Sequence, residues 1–271
     1  MPDATPRPSG RPSGLPLAGA KRPRPDGGFL WDSIANGPVR SRRLGVSLGL
    51  NLIPAGSKVC TFDCPYCECG FNTPRVRESR WPSPDEVAHA LRRALTRLPA
   101  PPDWITFAGN GEPTLHPRFA VVVDRVLAVR AELAPGARIA ALSNGLAAGK
   151  PAIRDALRAL DARLMKLDPG PMERVNGIRY DAARLADSYR ALKPYTIQAM
   201  VTKGNGWDGG SEASLAAWLP LVVRADPDAV QLYSLDRPPA DPTLQNVLRE
   251  RLEEMARAIR SALPRCHVDV F

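Results

Sequence analysis

Four of the five cysteines lie between Cys60 and Cys69, in the run Cys-Thr-Phe-Asp-Cys-Pro-Tyr-Cys-Glu-Cys. Cys60, Cys64 and Cys67 carry the spacing C-x3-C-x2-C. A disulfide would join two of these thiols and strand the others. A structural zinc site takes four ligands, usually as pairs brought from two places, and the chain has no second C-x2-C and no closely spaced His pair. Cysteine thiolates are the usual ligands of iron–sulfur clusters. Three of them bind three irons of a 4Fe–4S cube and leave the fourth iron open, which suits a substrate better than electron storage. A zinc or disulfide loop stays open as the plainer alternative on spacing alone.

The run Cys64-Pro65-Tyr66-Cys67, following Cys60 at C-x3-C, resembles the cluster loop of the radical S-adenosylmethionine (radical SAM) enzymes. The resemblance implies a 4Fe–4S cluster on Cys60, Cys64 and Cys67 whose open iron chelates SAM. It also implies reductive cleavage of SAM to methionine and a 5′-deoxyadenosyl radical. Asn110-Gly111-Glu112-Pro113 is similar to the family's Gly-Gly-Glu motif, which binds the SAM amino group, although Asn110 replaces the first glycine. A capped turn is the other reading of that segment. Ser143 and Asn144 suit the SAM carboxylate or ribose hydroxyls, or form an ordinary Ser-Asn-Gly turn. Asn110, Gly111, Glu112, Ser143 and Asn144 are therefore the expected cofactor-binding residues. No catalytic residue is assigned.

The phrase from Gly37 to Leu52, the cysteine loop and Gly111-Glu-Pro-Thr-Leu-His116 together resemble the branch grouped with the wyosine tRNA-modifying synthases. That branch carries a second cluster, for which this chain lacks the cysteines, so the tRNA substrate is not carried over with the SAM chemistry. A tRNA nucleoside is the first substrate guess, with a small metabolite or peptide close behind. An electron donor such as flavodoxin or ferredoxin is the implied partner.

These residues need elements to place them. Leu44 to Ile53 alternates as a strand and runs into the cysteine loop. Ser83, Pro84 and Glu86 sign a helix start with a capping box, with Val87, Leu91, Leu95 and Leu98 buried. Trp104 to Phe107 is a strand ending at the Asn-Gly-Glu segment. Pro117 opens a helix with Phe119, Val122, Val123 and Val126 inward. Strands follow at Arg138 to Leu142, Ala162 to Leu167, Thr196 to Thr202 and Ala229 to Leu235. Helices are expected at about 152–160, 181–192, 211–223 and 241–262, the last with Leu244, Leu248, Leu252, Met255 and Ile259 at helical spacing. Cys266 to Phe271 offers a closing edge strand. Six strands alternating with helices give a parallel sheet. The family resemblance implies α/β architecture of a particular kind, an incomplete (β/α)6 TIM-like barrel, with chemistry at the carboxyl ends of the strands. On those ends Lys166, Asp168, Gln198, Met200, Thr202, Gln231 and Tyr233 either line a pocket or fill the interior. His116 reads as structural. His89 and His267 have no partner in sequence, and Cys69 and Cys266 are leftover thiols.

Residues 1–28 are rich in Pro, Gly, Ser and Arg and too poor in large apolar side chains to offset ordering entropy. They are expected to be a disordered tail, with one radical SAM domain over 29–271. Hydrophobic residues make up 44% of the 271, enough for a sizeable core. No apolar run reaches the ~18 residues of a membrane span, and no signal peptide is evident. Clustered rather than dispersed cysteines point to a reducing compartment, hence the cytoplasm. The net charge of +9 attracts anions, nucleic acid included, but the arginines are scattered and a compositional origin is as good an account. Two competitors share parts of this pattern: a zinc-stapled basic RNA-binding protein without catalysis, and a glycyl-radical activase.

Overall fold

The computed structural model describes residues 19–24, 28–72, 80–204 and 206–271. Two short strands, β1 (Lys21–Pro23) and β2 (Phe29–Trp31), pair antiparallel ahead of the main sheet. Next come β3 (Ala35–Ser41) and β4 (Gly45–Leu50), an antiparallel hairpin. The chain continues through the cysteine loop to α1 (Pro84–Leu95), β5 (Trp104–Phe107), α2 (Phe119–Leu133), β6 (Arg138–Ser143) and α3 (Pro151–Arg158). Then follow β7 (Ala162–Lys166), α4 (Met172–Val175), α5 (Ala182–Arg190) and β8 (Thr196–Met200). The last elements are β9 (Thr202–Gly204), β10 (Trp207–Asp208), α6 (Glu212–Ala225), β11 (Ala229–Tyr233), β12 (Gln245–Asn246), α7 (Arg249–Ala262) and β13 (His267–Val270).

Eight strands form one mixed sheet in the order β13-β11-β8-β7-β6-β5-β4-β3. From β4 to β13 every pairing is parallel, and only the β3 edge is antiparallel. Successive side chains on a strand point to opposite faces. One face carries Ile105, Phe107, Ile139, Ala141, Met165, Ile197, Ala199, Val230 and Leu232 into a core shared with the helices. The other carries Thr106, Leu142, Lys166, Gln198, Met200 and Tyr233 onto the wall of a cavity. The alternation that builds the core therefore also presents polar groups in a row, with Lys166 beside Gln198 and Gln198 beside Gln231.

Local chemistry explains the helix starts. Ser83 accepts a hydrogen bond from the Glu86 amide, and the Glu86 carboxylate accepts one from the Ser83 amide, so the expected capping box forms. Ser211 caps α6 and Asp181 caps α5 in the same manner. Val87, Leu91 and Leu95 are buried under α1, and Leu98 lies beyond its end, half-buried.

Four expectations require correction. Ala35–Ser41, Pro38 included, form the strand β3 within what reads in the sequence as a lead-in over 29–43. Proline is tolerated on an edge strand, and the register shift between Asn36 and Val39 absorbs it. Lys21–Pro23 form a strand, although they fall in the expected disordered tail, since their partner Phe29–Trp31 is supplied from outside it. Residues 1–18 and 25–27 of that tail lie outside the described residues. The last helix starts at Arg249 rather than 241, because Gln245 and Asn246 pair instead with Lys203 and Thr202. Leu248 thus caps the helix at 73% exposure rather than packing inside. Helix α2 begins at Phe119, after a 3-10 turn at Pro113–Leu115, rather than at Pro117.

Candidate functional site

The cysteine loop leaves β4 and is pinned at several points. Its Val59 bonds the carbonyl of Asn110 through its amide and the amide of Glu112 through its carbonyl. Gly111 sits at φ +154°, where an L side chain is strained. A Cβ there would collide with the Val59 carbonyl, so glycine is what allows the two segments to touch. The first motif position has no such demand. Asn110 keeps negative φ and bonds the backbone N–H and C=O of Trp31 through its own amide, at 2.8 Å each. This departure from Gly-Gly-Glu therefore ties the motif to β2.

Further ties hold the loop from the other side. Asn72 bonds the backbone of Cys60 and Phe62. The Asp63 amide donates to the Asn176 carbonyl, and the Asp241 amide to that of Pro65. Lys58 is buried at 2% exposure, bonded to the Gly70 carbonyl and to Asp63 at 3.3 Å. Burial opposes its charge, but Cys67, Asp63, Cys60 and Cys64 outweigh that and raise its pKa.

Cys60, Cys64, Cys67 and Cys69 all line one cavity of about 420 Å³. Each of the three motif sulfurs has a hydrogen-bond donor. Cys60 Sγ accepts from the Phe62 amide at 3.4 Å and from Asn144 Nδ2 at 3.6 Å. Cys64 Sγ accepts from Asn176 Nδ2 at 3.5 Å. A hydrogen bond from Cys69, against burial and with help from Lys58, draws the Cys67 thiol down, while the Cys69 thiol is pushed up. Burial raises Cys60 and Cys64, Cys64 to about 12. Donors aimed at sulfur and a buried cation beside it are the environment a set of thiolate ligands requires. Among the described residues, no group of three His, Cys, Asp or Glu side chains converges tightly enough to grip a single metal ion. A 4Fe–4S cube spreads its thiolates over separate irons, so the three sulfurs fit a cluster by donor type and not by convergence on a point.

Glu112 is 3% exposed and shared among four donors: Thr114 N, Thr114 Oγ1, Ser143 Oγ and Asn144 N, at 3.0, 2.6, 2.8 and 2.7 Å. Burial raises its pKa and these bonds oppose the rise. Asn144 also reaches Thr61 at 2.7 Å. Glu112 is thus the knot joining β5, β6 and the cysteine loop. Gly111, Glu112, Ser143 and Asn144 line the cavity, and Asn110 does not.

On the opposite wall, Lys166 Nζ lies 2.8 Å from Asp168 and 3.0 Å from the Tyr233 hydroxyl. Burial opposes the charge on Lys166, yet Asp168 and Tyr233 carry its pKa above the ordinary lysine value. Asp168 also accepts from Tyr66, Asn176 and the Met200 amide, which links this wall to the cysteine loop. Gln198, Met200 and Tyr233 face the cavity, whereas Asp168, Thr202 and Gln231 stand behind its surface. His116 bonds the Pro82 carbonyl and the Arg118 amide, a structural role. His89 lies on α1, His267 pairs with Asp269, and Cys266 is buried in the helix-side core.

Lys58, Asn72, Asn176 and Arg43 did not stand out in the sequence, and Tyr66 stood out only as the aromatic of the cysteine motif, not as a partner of Asp168. The nearness of Lys58 and Tyr66 to the cysteines was the available signal. Asn176 comes from more than a hundred positions away, and nothing in its spacing announces it.

No family model matches the chain. A UPF0026 protein of Helicobacter pylori (strain ATCC 700392 / 26695) is 30% identical over 216 residues, covering 76% of this chain and 67% of that protein. The chain belongs to the UPF0026 family. Among solved structures, Streptococcus suis SuiB bound to S-adenosylmethionine matches with a TM-score of 0.57 at 14% identity, over 82% of this chain and 50% of that one. A mutant form of spore photoproduct lyase matches at 0.55 and 11%, over 87% and 79%. This UPF0026 chain therefore spans about half the length of SuiB. At these identities the likeness is one of fold: a mixed α/β, multi-stranded sheet resembling that of radical SAM enzymes, not of the wyosine branch in particular. No helix among the described residues is long and apolar enough to cross a membrane.

Proposed function

We propose that the protein is a radical SAM enzyme, with the sheet curled as an incomplete (β/α)6 barrel around the cavity. Cys60, Cys64 and Cys67 would hold a 4Fe–4S cluster, and SAM would lie between the cysteine loop and Gly111, Glu112, Ser143 and Asn144. The observation that supports this most is one cavity bordered by all three motif cysteines and by the Glu112 knot. Held by Cys60, Cys64 and Cys67, such a cluster would supply one-electron reduction of SAM and, through it, radical hydrogen abstraction from a substrate.

The chain's own residues supply position and environment. Lys58 offsets the negative charge of the thiolates, and Asn144 and Asn176 orient two of the sulfurs by donating to them. Glu112 spends most of its hydrogen-bonding capacity holding β5, β6 and the loop in register. Its remaining capacity, with the backbone of Gly111 on the cavity wall, would be available to SAM. Leu142, Met200 and Tyr233 give the substrate side an apolar lining that keeps water from a radical. A tRNA nucleoside is the first substrate to test, given the net charge of +9, with a flavodoxin or ferredoxin as reductant in the cytoplasm.

Anaerobic reconstitution decides the matter. The expected result is about four irons per chain and 5′-deoxyadenosine on addition of dithionite and SAM. A protein that takes up one zinc, stays colourless and leaves SAM intact beside an active control enzyme overturns the proposal in favour of a zinc-stapled binding protein.

A further inference from the structure

The cavity that the cysteines border is also lined by Arg40 near the end of β3, by Arg42 and Arg43 in the turn to β4, and by Arg237 from the segment after β11. Their ion pairs separate them. Arg42 pairs with Asp236 at 3.1 Å, Arg237 with Glu68 at 2.6 Å, Lys166 with Asp168 at 2.8 Å and Lys58 with Asp63 at 3.3 Å. The side-chain carboxylates on the cavity wall are engaged: Asp236 and Glu68 by these arginines, and Glu112 by its four donors. Arg40 is exposed to solvent.

Arg43 differs from the rest. Its guanidinium carbon lies 4.1 Å from the centroid of the Tyr233 ring, so the group is stacked. Its Nη1 is buried and has no hydrogen-bond partner. A buried donor left unmet costs about 1–3 kcal/mol, more when it is charged, and such groups are rare. Guanidinium also cannot shed its proton to relieve that cost. Asn36, 3% exposed on β3, contributes a second unmet donor to the same wall through Nδ2. Being neutral, it donates to any carbonyl or hydroxyl oxygen, so of these two groups only Arg43 discriminates by charge.

We propose that Arg43 is a substrate-anchoring residue that binds an oxyanion of the substrate, a carboxylate or a phosphate, in the cavity that the cysteine loop borders. Stacking on Tyr233 fixes the plane of the guanidinium, and a fixed planar fork matches two oxygens of an oxyanion at once. Tyr233 is in turn held by Lys166, and Lys166 by Asp168, which bonds Tyr66 and Asn176 beside Cys64. The anion site and the cysteine loop are thus parts of one bonded wall. The inference rests on the proposed reaction for its meaning, since the anion is read as part of the substrate, but its test does not.

The experiment is calorimetric titration of the full-length protein with inorganic phosphate and, separately, with succinate, at constant ionic strength. Wild-type protein is expected to bind at least one of the two, and the stronger of the arms identifies the group. Arg43→Gln is expected to weaken that binding at least about tenfold. Arg43→Lys should fall between, because it keeps the charge and loses the fork. Arg42→Gln, on an exposed and already paired arginine, should stay within about twofold. Circular dichroism checks that each variant folds, and Arg43→Lys serves if Arg43→Gln does not. Binding to neither anion, or binding unchanged in the folded Arg43 variants, overturns the inference. SAM cleavage by wild-type protein is read separately. Cleavage without anion binding sinks the anchor alone, and Arg43-dependent binding without cleavage sinks the reaction and leaves the anchor standing.

Discussion

Lys166 and Asp168 show how much a single buried pair can carry. The Asp168 side chain is fully buried and accepts from Lys166, Tyr66, Asn176 and the Met200 amide. Removing its charge leaves Lys166 in the wall without its counter-ion and frees two groups that steady the cysteine loop. Breaking a buried pair from one side costs about 3–5 kcal/mol. Asp168→Asn is accordingly expected to lower the urea midpoint by an amount equivalent to about 3 kcal/mol or more, with little change in the slope. A loss under about 1 kcal/mol would mean that the pair behaves as a surface contact. At Gly111 the expectation concerns shape. Gly111→Ala should push Val59 away from Glu112 and reduce the iron retained after anaerobic reconstitution, measured against a folded control by circular dichroism.

At the scale of elements, α1 offers a controlled test because its cap is complete. Ser83→Ala removes one bond of the box and should cost about 1 kcal/mol, a fall of about 2–4 °C in Tm for a domain of this size. Glu86 adds a pH signature. The Arg80 guanidinium, ahead of the Ser83 bonds, holds its carboxyl down at about 2. A carboxylate whose pKa is depressed by folding contributes stability above its unfolded value of about 4.3, and that contribution is lost as pH falls toward the folded value. The Tm gap between wild type and Glu86→Gln should therefore be constant from neutral pH to about 5 and close between about pH 4 and pH 2. A gap that persists at the acid end would assign the effect to packing. Helix α1 was legible in the sequence because capping is local. Strand β3 was not, since its Gly37 and Pro38 become strand residues only with β4 alongside.

For the whole molecule, the proposed cofactor predicts a linkage. A ligand bound only by the folded state at a hundredfold its dissociation constant adds about 2.7 kcal/mol, or about 5–10 °C in Tm for a chain of this length. Anaerobically reconstituted protein should show that rise as SAM fills the site. No movement at saturating SAM would count against the site formed by Gly111, Glu112, Ser143 and Asn144. The lining supports this expectation, because the cavity is bordered by the segments that follow β4, β5, β6 and β11 and by Lys166 at the end of β7, and each can contribute to one ligand.

The sequence by itself determined what depends on neighbours along the chain. The cysteine spacing, the helix caps at Ser83 and Ser211 and the alternation within each strand are of this kind, since each rests on residues close together in the chain. Tertiary structure decided what depends on distant segments meeting. Glu112 became a knot only when β6 delivered Ser143 and Asn144. Asn110 turned to Trp31, Asn176 arrived at Cys64, and Arg43 settled on Tyr233 with one buried nitrogen unmet. Hydrogen bonds and buried charge act over a few ångströms regardless of sequence separation, so no pattern of spacing along the chain could have announced them.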